Sequence, residues 1–121
     1  MRIESGHNYT AVPEAMISNA LDKLSRDDLT RLAFKGSMEQ EQVEAVLEGQ
    51  FQGTWLTWQK ENTLYFSIRA LDGSIHHHFI KWNPYTRSFD NWSDQNHKSV
   101  DALIAYKIAE GRLQGIALPL S

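Results

Sequence analysis

The chain has no cysteine among its 121 residues, so disulfide frameworks, thiolate metal sites and thiol nucleophiles are excluded, and a reducing compartment suits it. Its three prolines and seven glycines are scattered. They assemble no phosphate-cradling loop, and neither a repeat of about 20 to 50 residues nor a low-complexity tract appears. No apolar run comes near the roughly 20 residues of a membrane-spanning helix, so no membrane partner is expected. The opening residues MRIESGHNYTAVPEAM lack a basic start followed by an apolar stretch, which is the pattern of a secretory signal. Cytoplasmic location is the expectation. Positive charge is short as well: Lys and Arg number 12 against 15 Asp and Glu, for a net charge of -3. Phosphate-backbone binding draws on a basic face, so nucleic acid is not an expected partner.

What is present suffices for one globular domain, with 41% hydrophobic and 22% charged residues and a length able to bury a core. Residues 1–11 are polar and aperiodic and read as a lead-in. From Pro13, the apolar residues Ile17, Ala20, Leu21 and Leu24 fall at i, i+3, i+4 and i+7, predicting an amphipathic helix. Ser25 to Asp28 reads as the cap of a second short helical turn carrying Leu29 and Leu32. Ser37 is placed to cap a further helix near 38–48, with Gln40 reaching back as its third residue and Gly49 ending it. Val43, Val46 and Leu47 form its apolar stripe, while Glu39, Glu41, Glu44 and Glu48 are expected to face solvent.

Strands follow at 54–58, 64–69 and 75–82. Leu64, Phe66 and Ile68 alternate with Tyr65, Ser67 and Arg69, and Asp72-Gly73 supplies a tight turn, so the three segments predict an antiparallel meander. Residues 83–97 read mostly as loop, with a short edge strand at 88–92. Ser99 opens a last helix over 99–109, with Val100, Leu103, Ile104 and Ile108 on one face and Gly111 at its end. Leu113, Ile116, Leu118 and Leu120 suggest a tail packed back onto the body. The predicted class is α+β: a central antiparallel sheet flanked by a helix on each side, with an N-terminal helical extension.

The run His76-His77-His78 is the most visible candidate for chemistry. Strand alternation sends His76 and His78 to one face and His77 to the other. Three consecutive histidines therefore cannot share a metal, and the remaining donors would have to come from His7, His97 or distant carboxylates without supporting spacing. No metal or other cofactor is expected. A hydrolase would need a nucleophile such as Ser67 near His77 with an acid behind it, and no Gly-x-Ser-x-Gly motif places them. Among the tryptophans, Trp55 and Trp58 are expected in the core. Trp82 and Trp92 flank the polar loop, where they are placed to line a groove for a partner.

Several stretches together resemble a known family. Phe34-Lys-Gly36, Ser37-Met38 opening a helix with Val43-Glu-Ala-Val-Leu47, and Gly53-Thr-Trp-Leu56 look like the first half of a Src-homology-2 domain. Tyr65-Phe-Ser-Ile68 and Ile75-His-His-His-Phe-Ile80 are similar to its second and third central strands, Ser99-Val-Asp-Ala-Leu-Ile-Ala-Tyr106 to its second helix, and Leu118-Pro119 to its close. The resemblance covers about Phe34 to Leu120, which divides the chain into an extension, 1–33, and a Src-homology-2-like domain, 34–121.

The resemblance implies a module binding phosphotyrosine peptides across the sheet, with an arginine near the end of the first central strand gripping the phosphate. Here that strand reads Trp55-Leu-Thr-Trp58, and Trp58 holds the arginine position. An indole offers neither charge nor the guanidinium's paired donors. Gln40 stands where many members carry a second arginine, Phe79 at a position often basic and Tyr65 at one often small. Only Ser67 and His77 keep pocket-like types, and the connection from Gln59 to Thr63 is short for wrapping a phosphate. Trp58, Tyr65 and Phe79 are expected on the same side as His77, filling the pocket, with Lys60 and Arg69 the nearby cations able to compensate.

The leading expectation is thus a protein or peptide interaction module with reduced or lost phosphotyrosine binding, with His78, Trp82 and Trp92 as further partner surface. A second reading is a phosphotyrosine-peptide reader using Lys60, Arg69, Ser67 and His77 in a rearranged pocket. A third is a small enzyme with His77 or His78 as base. Tryptophan in the first strand and a helical extension also look like versions of this family in effectors that intracellular bacteria deliver to the host cytosol. Nothing in the sequence assigns an oligomeric state.

Overall fold

A computed structural model describes residues 18–90 and 97–121. The chain runs through β1 (Ser18–Asn19), a 3-10 turn (Ala20–Lys23), α1 (Arg26–Arg31), β2 (Phe34–Ser37), α2 (Gln40–Glu48), β3 (Thr54–Lys60), β4 (Thr63–Arg69), β5 (Ile75–Asn83), β6 (Ser88–Asp90), α3 (Val100–Glu110) and β7 (Leu118–Pro119). These elements make an α+β fold with three helices and an open, mostly antiparallel sheet. Its strand order is β1-β5-β4-β3-β2, with β6 beside β5 and β7 beside β3. Among the described residues only β2 and β7 run parallel to their neighbour, β3.

The meander at the centre follows from alternation. Trp55 pairs with Ile68, Trp58 with Tyr65, Ser67 with His77 and Phe66 with His78, so every second residue shares a face. Lys60 and Thr63 close the first hairpin. Glu61 and Asn62 between them both have positive φ, 51° and 67°, the backbone of a two-residue type I′ turn. Leu56, Leu64, Phe66 and Ile80 of the sheet are fully buried, as are Val43 and Leu47 of α2, and Leu103 and Ile104 of α3 are nearly so.

Gly53 fixes the far end of the sheet. Its φ is +95°, and a Cβ there would stand 2.8 Å from the Ile116 carbonyl oxygen, a position that only glycine fills without displacing backbone. Its carbonyl accepts from the Leu118 N–H at 3.1 Å. This contact holds β7 against β3.

Several expectations need correction. The apolar stripe from Pro13 does not continue as an α-helix through Leu24: Ser18 and Asn19 pair with Trp82 and Lys81 of β5, and one 3-10 turn buries Ala20 completely. A strand edge with free backbone groups outcompetes the helix there; Pro13 and Ile17 lie outside the described residues. Ser25 does cap α1, accepting from the Asp28 N–H at 3.1 Å while Asp28 accepts from the Ser25 N–H at 2.9 Å. Ser37 does not cap α2. It belongs to β2, which finds partners on β3, and the helix starts later with Gln42, not Gln40, reaching back to the Glu39 N–H at 2.8 Å. The tail does pack back onto the body, with Leu113 buried, Leu120 against the core and β7 docked on β3 through its backbone, which leaves Ile116 and Leu118 exposed. Of the predicted edge strand at 88–92, Ser88–Asp90 forms as β6; the remainder lies outside the described residues.

The residues before Phe34 share the core with those after it. Leu32 is 2% exposed and its carbonyl accepts from the buried Thr57 hydroxyl at 3.0 Å. Among the described residues no helix is long and apolar enough to cross a membrane.

Candidate functional site

Trp58 occupies the centre of the face that meets α2. It is 1% exposed, its ring stacks on Tyr65 with centroids 4.5 Å apart and planes 19° apart, and it meets the His77 ring nearly edge-on at 6.0 Å. Behind the indole runs a chain of polar groups. Trp58 Nε1 lies 2.8 Å from Ser67 Oγ, Ser67 Oγ 2.6 Å from His77 Nδ1, and His77 Nε2 2.8 Å from Glu44 Oε2. Gln40 Nε2 donates to the same carboxylate oxygen at 3.3 Å.

The direction of this chain follows from its first member. An indole N–H only donates, so the Ser67 oxygen accepts from it and can turn its single proton toward His77 Nδ1. The ring proton then sits on Nε2 and is donated to Glu44, a tautomer assigned by the network. The hydrogen bond from His77, with that from Gln40 second, lowers the pKa of Glu44 below the ordinary 4.5. Glu44 was expected to face solvent. It instead turns toward the sheet as the acid end of the hydrogen-bonded series, with its side chain still 39% exposed.

Hydroxyl, imidazole and carboxylate in this order have the connectivity of an acyl-transfer relay. The reacting oxygen, however, is enclosed: Ser67 is fully buried and Trp58 covers it. A substrate carbonyl has no approach to it in this conformation. Among the described residues no group of three or more His, Asp or Glu side chains is arranged to hold a metal.

The two compensating cations are engaged elsewhere. Lys60 Nζ pairs with Glu39 at 2.9 Å, and this hydrogen-bonded contact with Glu39 raises its pKa. Arg69 Nη1 donates to the carbonyls of Leu47 at 3.2 Å, Glu48, and Gln50 at 3.4 Å, satisfying the orphan acceptors at the C-terminal end of α2 where a cation also complements the helix dipole. Phe79 pairs with Tyr65 across β4 and β5. The loop between β3 and β4 is only the turn Glu61-Asn62, too short to fold around a ligand.

The other sequence candidates lie apart from this cluster. His78 stacks on Phe66 at 5.9 Å. Trp82 packs edge-on against Phe89 at 5.0 Å with the Lys23 ammonium 5.0 Å above its ring, so the protein itself covers much of it. Trp92 lies outside the described residues. A comparison with protein-family models finds none that matches the chain, and no curated protein matches it either.

Proposed function

We propose that the chain is a protein- or peptide-interaction module with a divergent Src-homology-2-like architecture, a helix on each face of the sheet, and a phosphate pocket closed by its own side chains. The observation that carries this reading is Trp58, buried to 1% exposure and bonded to Ser67, at the position where the resemblance expects a phosphate-gripping arginine. Arg69 and Lys60 hold protein partners, which disfavours the rearranged-pocket alternative. Placing a phosphate dianion among these aromatic rings without a cation costs several kcal/mol, roughly, in desolvation.

The test is calorimetric titration with a tyrosine-phosphorylated peptide library and matched unphosphorylated peptides. The expected outcome is binding that does not depend on the phosphate. Trp58→Arg together with Gln40→Arg should create phosphate-dependent affinity, with folding checked in parallel because a charge replaces a buried ring. Tight phosphate-dependent binding by the native chain, abolished by Lys60→Ala or Arg69→Ala, would overturn the reading.

A further inference from the structure

We propose that the end of the sheet where β3 and β7 begin is a self-association surface, covered in solution by the same end of a second copy of this chain. Five large apolar side chains are exposed among the described residues, and four of them, Phe51, Leu71, Ile116 and Leu118, belong to this end. The fifth, Tyr85, lies beyond the opposite end of β5. Backbone contacts bring the four together. The Gly53 N–H donates to the Arg69 carbonyl at 2.7 Å, and the Gly53 carbonyl accepts from the Leu118 N–H at 3.1 Å. Phe51 stands two residues from Gly53, Leu71 two from Arg69 and Ile116 two from Leu118.

These side chains stand on fixed backbone. The Phe51 carbonyl accepts from the Thr54 N–H at 3.1 Å, the Ala70 N–H donates to the Ser74 carbonyl at 2.7 Å beneath Leu71, and the Leu113 carbonyl takes the N–H groups of both Ile116 and Ala117. Contact therefore orders little that is not already ordered. Phe51 is 86% exposed and Leu118 68%. With the half-exposed Leu71 and Ile116 they present roughly 400–500 Å² of apolar surface, as much as the largest patch of a typical monomer. A homodimer interface is about 65% apolar, so this patch scales to roughly 700 Å² per copy and about 1,400 Å² in all, inside the roughly 1,200–2,000 Å² of a specific complex.

Charge and backbone select the occupant. The three loops, residues 49–53, 70–74 and 111–117, contain one acid, Asp72, and one base, Arg112. Two copies therefore meet here without net repulsion, whereas an anionic lipid surface finds no cationic patch. Gln50, Gln52 and Gln114 are exposed, and their uncharged amides, donor and acceptor at once, suit the polar rim of a protein contact. β7 offers no donor to a further strand, because the N–H groups of Leu118 and Leu120 are bonded to Gly53 and Trp55 and Pro119 has none. The contact is packing of side chains rather than extension of the sheet. One patch meeting itself is isologous, and such a contact closes at two copies.

The test is sedimentation equilibrium of the whole chain over a concentration series. A monomer–dimer equilibrium is expected, with a dissociation constant on the order of micromolar. Phe51→Glu and Leu118→Glu, both at exposed positions, put like charges on the two facing copies, and each should weaken association by about tenfold or more. Tyr85→Glu, the same kind of change at the other end of β5, should leave it unaltered. Because the chain has no cysteine, Gln52→Cys gives a single attachment point for a spin label at the rim. Mixed with isotope-labelled native chain, the spin-labelled copy should broaden the amide resonances of Phe51, Leu71, Ile116 and Leu118 and spare Tyr85. A chain that stays monomeric up to roughly millimolar concentration, a dimer indifferent to both glutamate variants, or broadening confined to the Tyr85 end would overturn the proposal. So would a monomer whose Phe51 and Leu118 resonances shift on neutral phosphatidylcholine vesicles, which would give the surface to lipid. The phosphopeptide titration is independent of each of these results.

Discussion

Replacing Trp58 with Phe isolates the hydrogen bond that starts the buried chain. The phenyl ring can still stack on Tyr65, 4.5 Å away in the native arrangement, so the aromatic pairing is largely kept. Two terms are lost. The indole-to-Ser67 bond at 2.8 Å contributes about 1 kcal/mol net, and a void of roughly 40 Å³ at about 24 cal/mol per Å³ costs about 1 kcal/mol more. The sum, about 2 kcal/mol, lowers the melting temperature by roughly 6–10 °C for a chain of this size. Urea unfolding followed by far-ultraviolet circular dichroism is the assay, because tryptophan fluorescence changes with the substitution itself. Ser67→Ala strips the partner from both Trp58 Nε1 and His77 Nδ1, each a loss of about 1–3 kcal/mol. The double variant should therefore lose about 1 kcal/mol less than the sum of the singles. Additivity within about 0.3 kcal/mol would refute the chain as an energetic unit and leave packing alone to hold Trp58.

Two further outcomes are expected. Gly53→Ala forces a Cβ to 2.8 Å from the Ile116 carbonyl oxygen at φ +95°, so it should destabilise by at least about 2 kcal/mol; a melting temperature equal to the native value would contradict the close approach of β7. Glu44 has its pKa lowered by His77 and Gln40, so its contribution to stability is fully present above the ordinary 4.5 and is lost as pH falls through the depressed folded-state value. Glu44→Gln should flatten the dependence of the urea midpoint on pH in that acid range, and an unaltered profile would show that the carboxylate is not coupled to folding.

The central meander was legible because its signal is local: alternating side chains in β4 and the Asp72-Gly73 turn fix face and register without reference to anything distant. Trp58, Tyr65 and His77 share a face for the same reason. The failures lie where distant backbone decides. Phe34 to Ser37 carries no strong strand pattern, yet it pairs with β3 and pushes the start of α2 past Ser37. Ser18 and Asn19 become strand because β5 extends to Asn83 and offers them an edge. Glu44 was hidden for a different reason. Helical position placed it on a polar face, and only the docking of α2 on the sheet shows that it reaches His77.

A single indole can close a polar site only if every group behind it finds another partner. Ser67 turns its proton to His77, His77 donates to Glu44, and Gln40 completes the acid's coordination, so the donors of Trp58, Ser67 and His77 are each matched without an anion. The arrangement also opposes an anion. Glu44 stands at the end of the chain, Glu39 takes up Lys60, and Arg69 is spread over three carbonyl oxygens of α2 and the residues after it, so a phosphate entering here would meet carboxylate before cation. Restoring one arginine at Trp58 therefore removes the covering ring but sets a single cation against the Glu44 carboxylate. Gln40→Arg is the change that supplies a second cation beside Glu44, and this is why the paired substitution, rather than Trp58→Arg alone, should recover phosphate-dependent binding.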